Sequence, residues 1–551
     1  MPSASVPPSA RAVDTLARPR IGDPDFWLSI ACWLVVALSA LQILLFSFGR
    51  DQSIYAVVGD GILHGKMPYR DLWDFKPPGI FLIYAAAEQL FGRTMLAPRL
   101  LEVAGLVGAV FGLRRLAHVF FGMRRIGLVG GAVAALTHAQ LEFWHTGQPE
   151  AFGGFLTIYA LVLTVSEYAP GRRALAWAGA GALFGAAFLL KPPLGGGALV
   201  CAVYLARREW VRTGSARAAA WPVVVVGLAS LAPLLATAMW FRAAGAWEAL
   251  RWTFADFTPG YTKLGWAGSS AGGMFYHALT LAFTHYSALA LFGVVAAIAM
   301  RAIHTREREG LGLILGVVSI HLTGIAMQGK FFQYHFSATL PLVAFIAGLG
   351  LYKLWRRCLP GGAGGVVAFA SFVVVAVSMR QAVNDLPHGS FWERSRVRLA
   401  SLLAEHGSGS RVLLDRDLYY VADYDLDADR RVALELEAHT SPSAKIFVWG
   451  FEPGIYWLSN REPASRFIYD VPQRVSWQRE SARASLMEDL RRNPPAMIVV
   501  QRNDVFPFVT GDNVDSAGAL AGFPALDALV RDHYRRMSEL EDFTLYQRLD
   551  E

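Results

Sequence analysis

Phe26-Trp27-Leu28-Ser29-Ile30-Ala31-Cys32-Trp33-Leu34-Val35-Val36-Ala37-Leu38-Ser39-Ala40-Leu41-Gln42-Ile43-Leu44-Leu45-Phe46-Ser47-Phe48-Gly49 lies between Asp25 and Arg50-Asp51 and contains no charged residue. About 20 apolar residues at ~1.5 Å each cross the hydrocarbon core of a bilayer. The stretch therefore predicts a membrane-spanning helix over 26–48. It is too long for the apolar region of a signal peptide, and no small-residue cleavage site follows it, so it is read as retained. This reading places Asp51 at the membrane–water boundary. A carboxylate there stays ionised and still faces a molecule carried in the lipid. A basic kink, Lys76-Pro77-Pro78-Gly79, follows in the same polar interval.

The whole chain repeats the pattern of that first span. Of 551 residues, 54% are hydrophobic and 17% are charged, against about 25% charged in soluble domains. Further apolar segments occur at 96–113, 126–141, 151–167, 174–190, 194–206, 221–241, 278–300, 311–328, 336–352 and 364–380. With the first, they predict a polytopic α-helical membrane domain of about eleven spans over 26–380. Ile80–Phe91 is apolar but short and is expected to lie on the membrane surface or to re-enter. Residues 1–25 are rich in Pro, Ser and Ala and are expected to be disordered on the cytoplasmic side.

Clusters of basic residues orient these spans. They are Arg11/Arg18/Arg20, Arg114/Arg115/Arg124/Arg125, Arg172/Arg173, Arg207/Arg208/Arg212/Arg217, Arg301/Arg306/Arg308 and Lys353/Arg356/Arg357. With eleven spans all six fall on one side, which the positive-inside rule makes the cytoplasm. The net charge of +7 thus follows from topology and does not point to nucleic acid. The opposite side receives the loop 49–95, the turn Glu142–Glu150, Lys191-Pro192-Pro193, the loop Arg242–His277 and the turn Gly329–His335. An odd number of spans puts the tail, 381–551, on that side too, in a plasma (inner) membrane protein with an extracytoplasmic C-terminal domain.

The tail has ordinary soluble composition and none of the three cysteines, Cys32, Cys201 and Cys358. It therefore has no disulfide. Strands are expected at Arg411–Asp415, Lys445–Trp449, Ala496–Gln501 and Phe543–Arg548, and a helix at Ser481–Arg492, where Leu486, Met487 and Leu490 share a face. The alternation implies a small layered α/β domain.

Some motifs are excluded by their spacing. Gly59-Asp60-Gly61-Ile62-Leu63-His64-Gly65-Lys66 lacks the first glycine of a P-loop, and Met67 stands where Ser or Thr is required. No Cys/His zinc spacing occurs, and His138 and His145, two helical turns apart, are better read as structural. What remains is a set of acids and bases on the non-cytoplasmic side: Asp51, Arg70, Lys76, Glu150, Lys191, Lys330 and His335. Taken singly, each is as readily a charge marking a helix end. Gathered on one face beside aromatic loops, they point to a site.

Arg50-Asp51-Gln52-Ser53-Ile54-Tyr55, Pro68-Tyr69-Arg70-Asp71 and Asp74-Phe75-Lys76-Pro77-Pro78-Gly79 resemble the first outer loop of the type C glycosyltransferases (GT-C). The similarity is closest to the branch of the protein O-mannosyltransferases and the lipid A aminoarabinose transferase. Gly147-Gln148-Pro149-Glu150-Ala151-Phe152, Leu190-Lys191-Pro192-Pro193 and Lys330-Phe331-Phe332-Gln333-Tyr334-His335-Phe336 resemble that family's later motifs, and Lys445–Gly450 with Ile455–Arg461 resembles its outer domains. Many relatives carry Asp-Glu where this chain has Asp51-Gln52.

The resemblance implies a membrane glycosyltransferase, hexosyl- or pentosyl-, that moves a sugar from a polyprenyl-phosphate donor to a hydroxyl of a glycan, lipopolysaccharide or protein, with inversion. Asp51 is then the base that takes the acceptor proton, with Glu150 as the second acid. Lys76, Lys191, Lys330 and Arg70, and less securely Arg251, bind the lipid phosphate, and His335 donates to it. Trp252, Tyr261 and Trp266 either stack on a sugar or anchor the interface. A divalent metal stays open, with Gln52 counting against one beside Asp51. The rival from another class is a transporter or flippase for a lipid-linked or anionic substrate, which would carry ionisable groups in mid-membrane. A scaffold whose tail binds cell-wall polymers is a third reading.

Overall fold

The computed structural model describes residues 22–300, 305–378, 390–403, 415–421 and 424–549. The N-terminal stretch before residue 22 and most of the expected strand Arg411–Asp415 lie outside them.

Helix α1 (Pro24–Leu44) covers the first expected span, 26–48, up to Leu44. Asp23 caps its start, and Asp25 is buried against Tyr352 Oη at 2.9 Å, Trp355 Nε1 at 2.8 Å, Arg125 at 3.1 Å and Arg356 at 3.2 Å. One carboxylate thus ties the first helix to two others at the end remote from Asp51. The chain then runs through α2 (Arg50–Leu63), α3 (Gly79–Phe91), α4 (Leu96–Phe121), α5 (Arg124–Ala139), a short α6 (Glu142–His145), α7 (Pro149–Val165), α8 (Pro170–Leu190), α9 (Gly197–Thr213) and α10 (Ala216–Ala243). After the irregular helices α11 (Trp247–Arg251) and α12 (Thr258–Trp266) come α13 (Ala271–His285), α14 (Ala288–Ala299), α15 (Thr305–Gln328), α16 (Leu340–Cys358) and α17 (Gly362–Ser378).

Every expected span contains a helix, and this is a multi-pass membrane protein. Among the described residues, six helical stretches are by themselves long and apolar enough to cross a bilayer, or seven if one bent pair counts as a span. That pair corrects the expectation of a continuous helix over 278–300. The chain turns by 104° between α13 and α14. Ser287 Oγ accepts from Ala290 N–H at the start of α14, while Tyr286 and Thr339 join their hydroxyls. These polar side chains satisfy backbone and hydroxyl groups at the break, which apolar surroundings require. Elsewhere small residues allow close approach: a Cβ on Gly348 would lie 2.5 Å from Gly130 N, so α5 and α16 touch backbone to backbone.

The tail begins with α18 (Phe391–Leu403) and a short ladder of β1 (Tyr420–Val421) with β2 (Tyr424–Asp425). Its sheet uses β3 (Lys445–Trp449), β4 (Glu462–Pro463), β5 (Met497–Gln501), β6 (Tyr534–Leu540) and β7 (Phe543–Arg548), in the order β4-β3-β5-β7-β6. β3 runs parallel to β4 and β5, and β7 is antiparallel to β5 and β6. The helix Arg479–Arg492 connects β3's side of the sheet to β5, so the α/β expectation is met. Of the antiparallel hairpin β6–β7, only β7 coincides with an expected strand, Phe543–Arg548.

The tail packs on the loops that the basic clusters exclude. Arg50 pairs with Glu452, Tyr469 Oη donates to Asp74 at 2.6 Å, and Trp73 N–H donates to Arg466 O at 2.7 Å. Trp477 Nε1 donates to Phe257 O at 3.1 Å. Glu142, fully buried, holds two tail arginines: Arg398 Nη1 at 3.0 Å and Arg394 Nε at 3.4 Å. Removing one partner of a buried pair costs about 3–5 kcal/mol, because the remaining charge is left uncompensated. Glu142→Gln is therefore expected to loosen the tail by about that much. Hydrogen exchange across 391–403 should accelerate and thermal unfolding should begin earlier; unchanged exchange there would show that the pair does not hold the interface.

Candidate functional site

Helix α2 starts where two of its first residues are fixed by other parts of the chain. Gln52 is fully buried; its Oε1 accepts from Gly49 N–H at 3.0 Å, and its Nε2 donates to the carbonyls of Phe143 at 3.0 Å and Thr146 at 2.5 Å. A carboxylate would repel those carbonyls, so the amide at this position is a structural clamp. The clamp joins α2 to the turn that precedes α7. The same turn is held from below by a buried group in the membrane domain. Glu102 accepts from Gly147 N–H at 2.6 Å, from Arg99 Nη1 at 2.9 Å and from His138 Nε2 at 2.8 Å. Gly147 has φ +67°, and a Cβ there would meet Arg99 at 2.8 Å, so the turn requires glycine. His138 is thereby accounted for structurally.

These clamps bring most of the expected residues together. Asp51 Oδ2 lies 3.4 Å from Lys76 Nζ and accepts from Gln148 Nε2 at 3.2 Å. Tyr55 Oη in turn donates to Gln148 Oε1 at 2.8 Å, which fixes the amide. Lys76 Nζ also donates to Tyr334 Oη at 3.4 Å. Lys191 Nζ sits 2.8 Å from Glu150 Oε1, and His335 Nε2 lies 3.8 Å from the same oxygen. Asp51 is the accessible member: 24% of its side chain is exposed, against 9% for Lys76 and 2% for Glu150.

Burial and charge set the state of the bases. Burial opposes the charge on Lys76, but Asp51, Glu150 and Asp74 together more than offset it, and its pKa is raised. Burial lowers that of Lys191 despite Glu150. Burial and then Lys191 hold His335 well below the usual imidazole range, so it is neutral at pH 7. Its Nδ1 donates to Lys330 O at 2.7 Å, which leaves Nε2 as an acceptor. The expected donation from His335 to a phosphate thus requires a proton that its surroundings disfavour.

The remaining candidates are placed apart. Lys330 Nζ donates to the Phe508 carbonyl of the tail and lies 4.4 Å from the Tyr261 ring, with burial bringing its pKa down to about 8. Tyr261 packs on Phe75 at 4.7 Å, so one aromatic ring separates Lys330 from the Lys76 loop. Arg70 is engaged by Asp71 at 2.6 Å and the Ala244 carbonyl, and Arg251 by Glu248 at 2.8 Å. Trp252 joins Trp73 and Phe257 in an aromatic cluster, and Trp266 Nε1 donates to Met327 O at 2.8 Å. Asp74, Gln148 and Tyr334 belong to the site although the sequence did not single them out. Each lies within a quoted motif, but only the fold shows that Asp74 accepts from Lys76 N–H at 3.1 Å while Tyr469 holds its other oxygen. As for a metal, Asp51 and Glu150 each face a lysine ammonium, which repels a divalent cation. Among the described residues no group of three or more His, Cys, Asp or Glu side chains is arranged to hold one.

Residues 75–240 match the family model described as dolichyl-phosphate-mannose-protein mannosyltransferase. None of the curated proteins matches the chain in sequence. Among solved structures, ArnT from Cupriavidus metallidurans bound to undecaprenyl phosphate aligns at 15% identity and TM-score 0.54, over 95% of this chain and 98% of that one. Its apo state aligns at 15% identity and TM-score 0.53, over 95% and 97%. The Archaeoglobus fulgidus oligosaccharyltransferase with a tethered acceptor peptide is more distant, at 13% identity and TM-score 0.49, over 93% of this chain and 72% of that one. In sequence over residues 75–240, and in fold over nearly its whole length, this protein resembles the type C membrane glycosyltransferases.

Proposed function

We propose that this protein is a membrane glycosyltransferase that takes a sugar from a polyprenyl-phosphate donor and places it on an acceptor hydroxyl. The observation that carries the reading is the pairing of an accessible carboxylate, Asp51, with the buried ammonium of Lys76 at 3.4 Å, at the membrane end of the outer loops. The similarity in fold to ArnT, solved with undecaprenyl phosphate, supports it. Asp51 takes the acceptor proton as the hydroxyl oxygen attacks the sugar carbon. The bond from that carbon to the phosphate oxygen breaks in the same step, and the configuration inverts. Lys76 then exchanges its carboxylate partner for the departing phosphate. A unit charge ~4 Å away contributes on the order of 4 kcal/mol at an effective dielectric of ~20.

In this mechanism Lys191 stands ready as a second cation, with Glu150 holding it in the resting site. Glu150 Oε2 has no hydrogen-bond partner and offers an acceptor for a substrate hydroxyl. Neutral His335 accepts through Nε2. Lys330 contributes charge from behind Tyr261 and fastens the tail. The site faces outside the cytoplasmic membrane, with the domain 381–551 on the same side.

Asp51→Asn is expected to fold normally and to lose ~10²–10⁴-fold in transfer from a defined polyprenyl-phosphate sugar. Full transfer by that variant removes Asp51 as the base. Lys330 is charged below pH 8 and loses its proton as pH rises through about 8. Donor KM should therefore rise on the alkaline side, Lys330→Arg should move that rise to higher pH, and Lys330→Met should hold KM at the raised alkaline value across the range. An identical profile in all three proteins rules out a role for its charge. A reporter fused after Glu551 that works only in the cytoplasm would overturn the orientation.

A further inference from the structure

A cavity of about 200 Å³ lies between the last two turns of α2 and the tail. Val57, Asp60, Gly61 and His64 line it from one face of α2, and Arg93, Trp457, Arg461 and Glu462 are among the residues opposite. Asp60 is nine residues after Asp51, about 14 Å along the helix and on the opposite face. The cavity is therefore separate from the site of transfer.

Its polar groups have two properties. First, the charges are already paired. Asp60 lies 3.7 Å from Arg93, which also faces Glu88 at 3.8 Å, and Lys66 lies 3.2 Å from Glu462. Arg461 is held by Thr440 and by the carbonyls of Ser459 and Thr440. An ionic ligand gains little by disrupting these pairs. Second, three lining side chains carry buried atoms with no hydrogen-bond partner: Trp457 Nε1, a donor, and Arg93 Nε and Asp60 Oδ1, a donor and an acceptor that face each other at 3.7 Å, beyond hydrogen-bond reach, with His64 Nδ1 3.4 Å from the same oxygen. Buried polar groups seldom stay unpaired. A ligand that donates and accepts through adjacent groups, without net charge, matches this combination. The volume is below the ~300–1,000 Å³ of sites for drug-sized ligands, and fits one ring.

We propose that this cavity binds one neutral sugar residue of a glycan, as a second carbohydrate site remote from Asp51. Its role as a hold on an extended acceptor rests on the glycosyltransferase reading; the binding itself does not. The test uses the full-length protein in detergent, with saturation-transfer NMR on the methyl glycosides of glucose, mannose, galactose and N-acetylglucosamine. At least one glycoside is expected to bind wild type and Asp51→Asn alike. Binding should weaken tenfold or more in Trp457→Phe, which keeps an aromatic ring, smaller than indole, but lacks the N–H, and in Asp60→Asn, with both variants melting as wild type does. Phosphoethanolamine should not displace the sugar. Three results overturn the proposal: none of the four glycosides binds, binding survives in both variants, or phosphoethanolamine displaces it. Failure of the glycosyltransferase reading shows itself separately, as absence of transfer by wild type from polyprenyl-phosphate sugars while glycoside binding persists.

Discussion

The Arg50–Glu452 ion pair fixes the geometry on which the rest of the loop face depends. Both side chains are buried, and the guanidinium also lies 4.5 Å from the Phe506 ring and 5.0 Å from that of Phe451. A guanidinium in such surroundings is tolerated only with its counter-charge in place. The start of α2 therefore cannot move without the tail. On the other side of Asp51, Gln52 is clamped to the turn before α7. Asp51 is thus the accessible residue between two anchored ones: its backbone is fixed, and its carboxylate, held by Lys76 and Gln148, is partly exposed.

The same principle of matched charge governs the wider site. Each lysine near the membrane boundary has a partner suited to its burial: Asp51 for Lys76, Glu150 for Lys191, and a tail carbonyl with an aromatic face for Lys330. Removing an isolated ammonium from water is costly, whereas a paired one can wait for an anion. The pairing also poises the site. In the mechanism proposed above, a phosphate would displace a carboxylate without either lysine having to be desolvated afresh. The aromatic cluster of Trp73, Phe75, Phe257 and Tyr261 excludes water around the Lys76 loop and so strengthens these interactions.

Much of this was legible in the residues, for identifiable reasons. The span 26–48 announces itself because bilayer thickness imposes a length on an uncharged segment. β3, β5 and the helix Arg479–Arg492 follow from runs of buried residues with one period each. Asp51, Lys76, Glu150, Lys191 and His335 do lie together, as their expected placement in loops on one side of the spans implies. Contacts that join distant segments were not legible. Nothing local tells Gln52 from a surface glutamine, or shows that Glu452 lies beside Arg50. The bend at Ser287 was missed because Tyr286 and Ser287 interrupt an apolar run too briefly to break its hydropathy, although their hydroxyls are enough to redirect the backbone. Arg70 and Lys330 look alike as outer cations, but only the fold shows that one is engaged by Asp71 and the other by the tail.

The tail's contacts with the outer loops have a consequence for biogenesis. Glu452, Tyr469 and Phe508 each hold a different loop of the membrane domain, and a ribosome makes all three after every apolar helix has emerged. A half-made or freshly inserted bundle therefore has its lysines and carboxylates but not the frame that aligns them. The contacts that align this site are therefore completed only by residues made after the membrane helices.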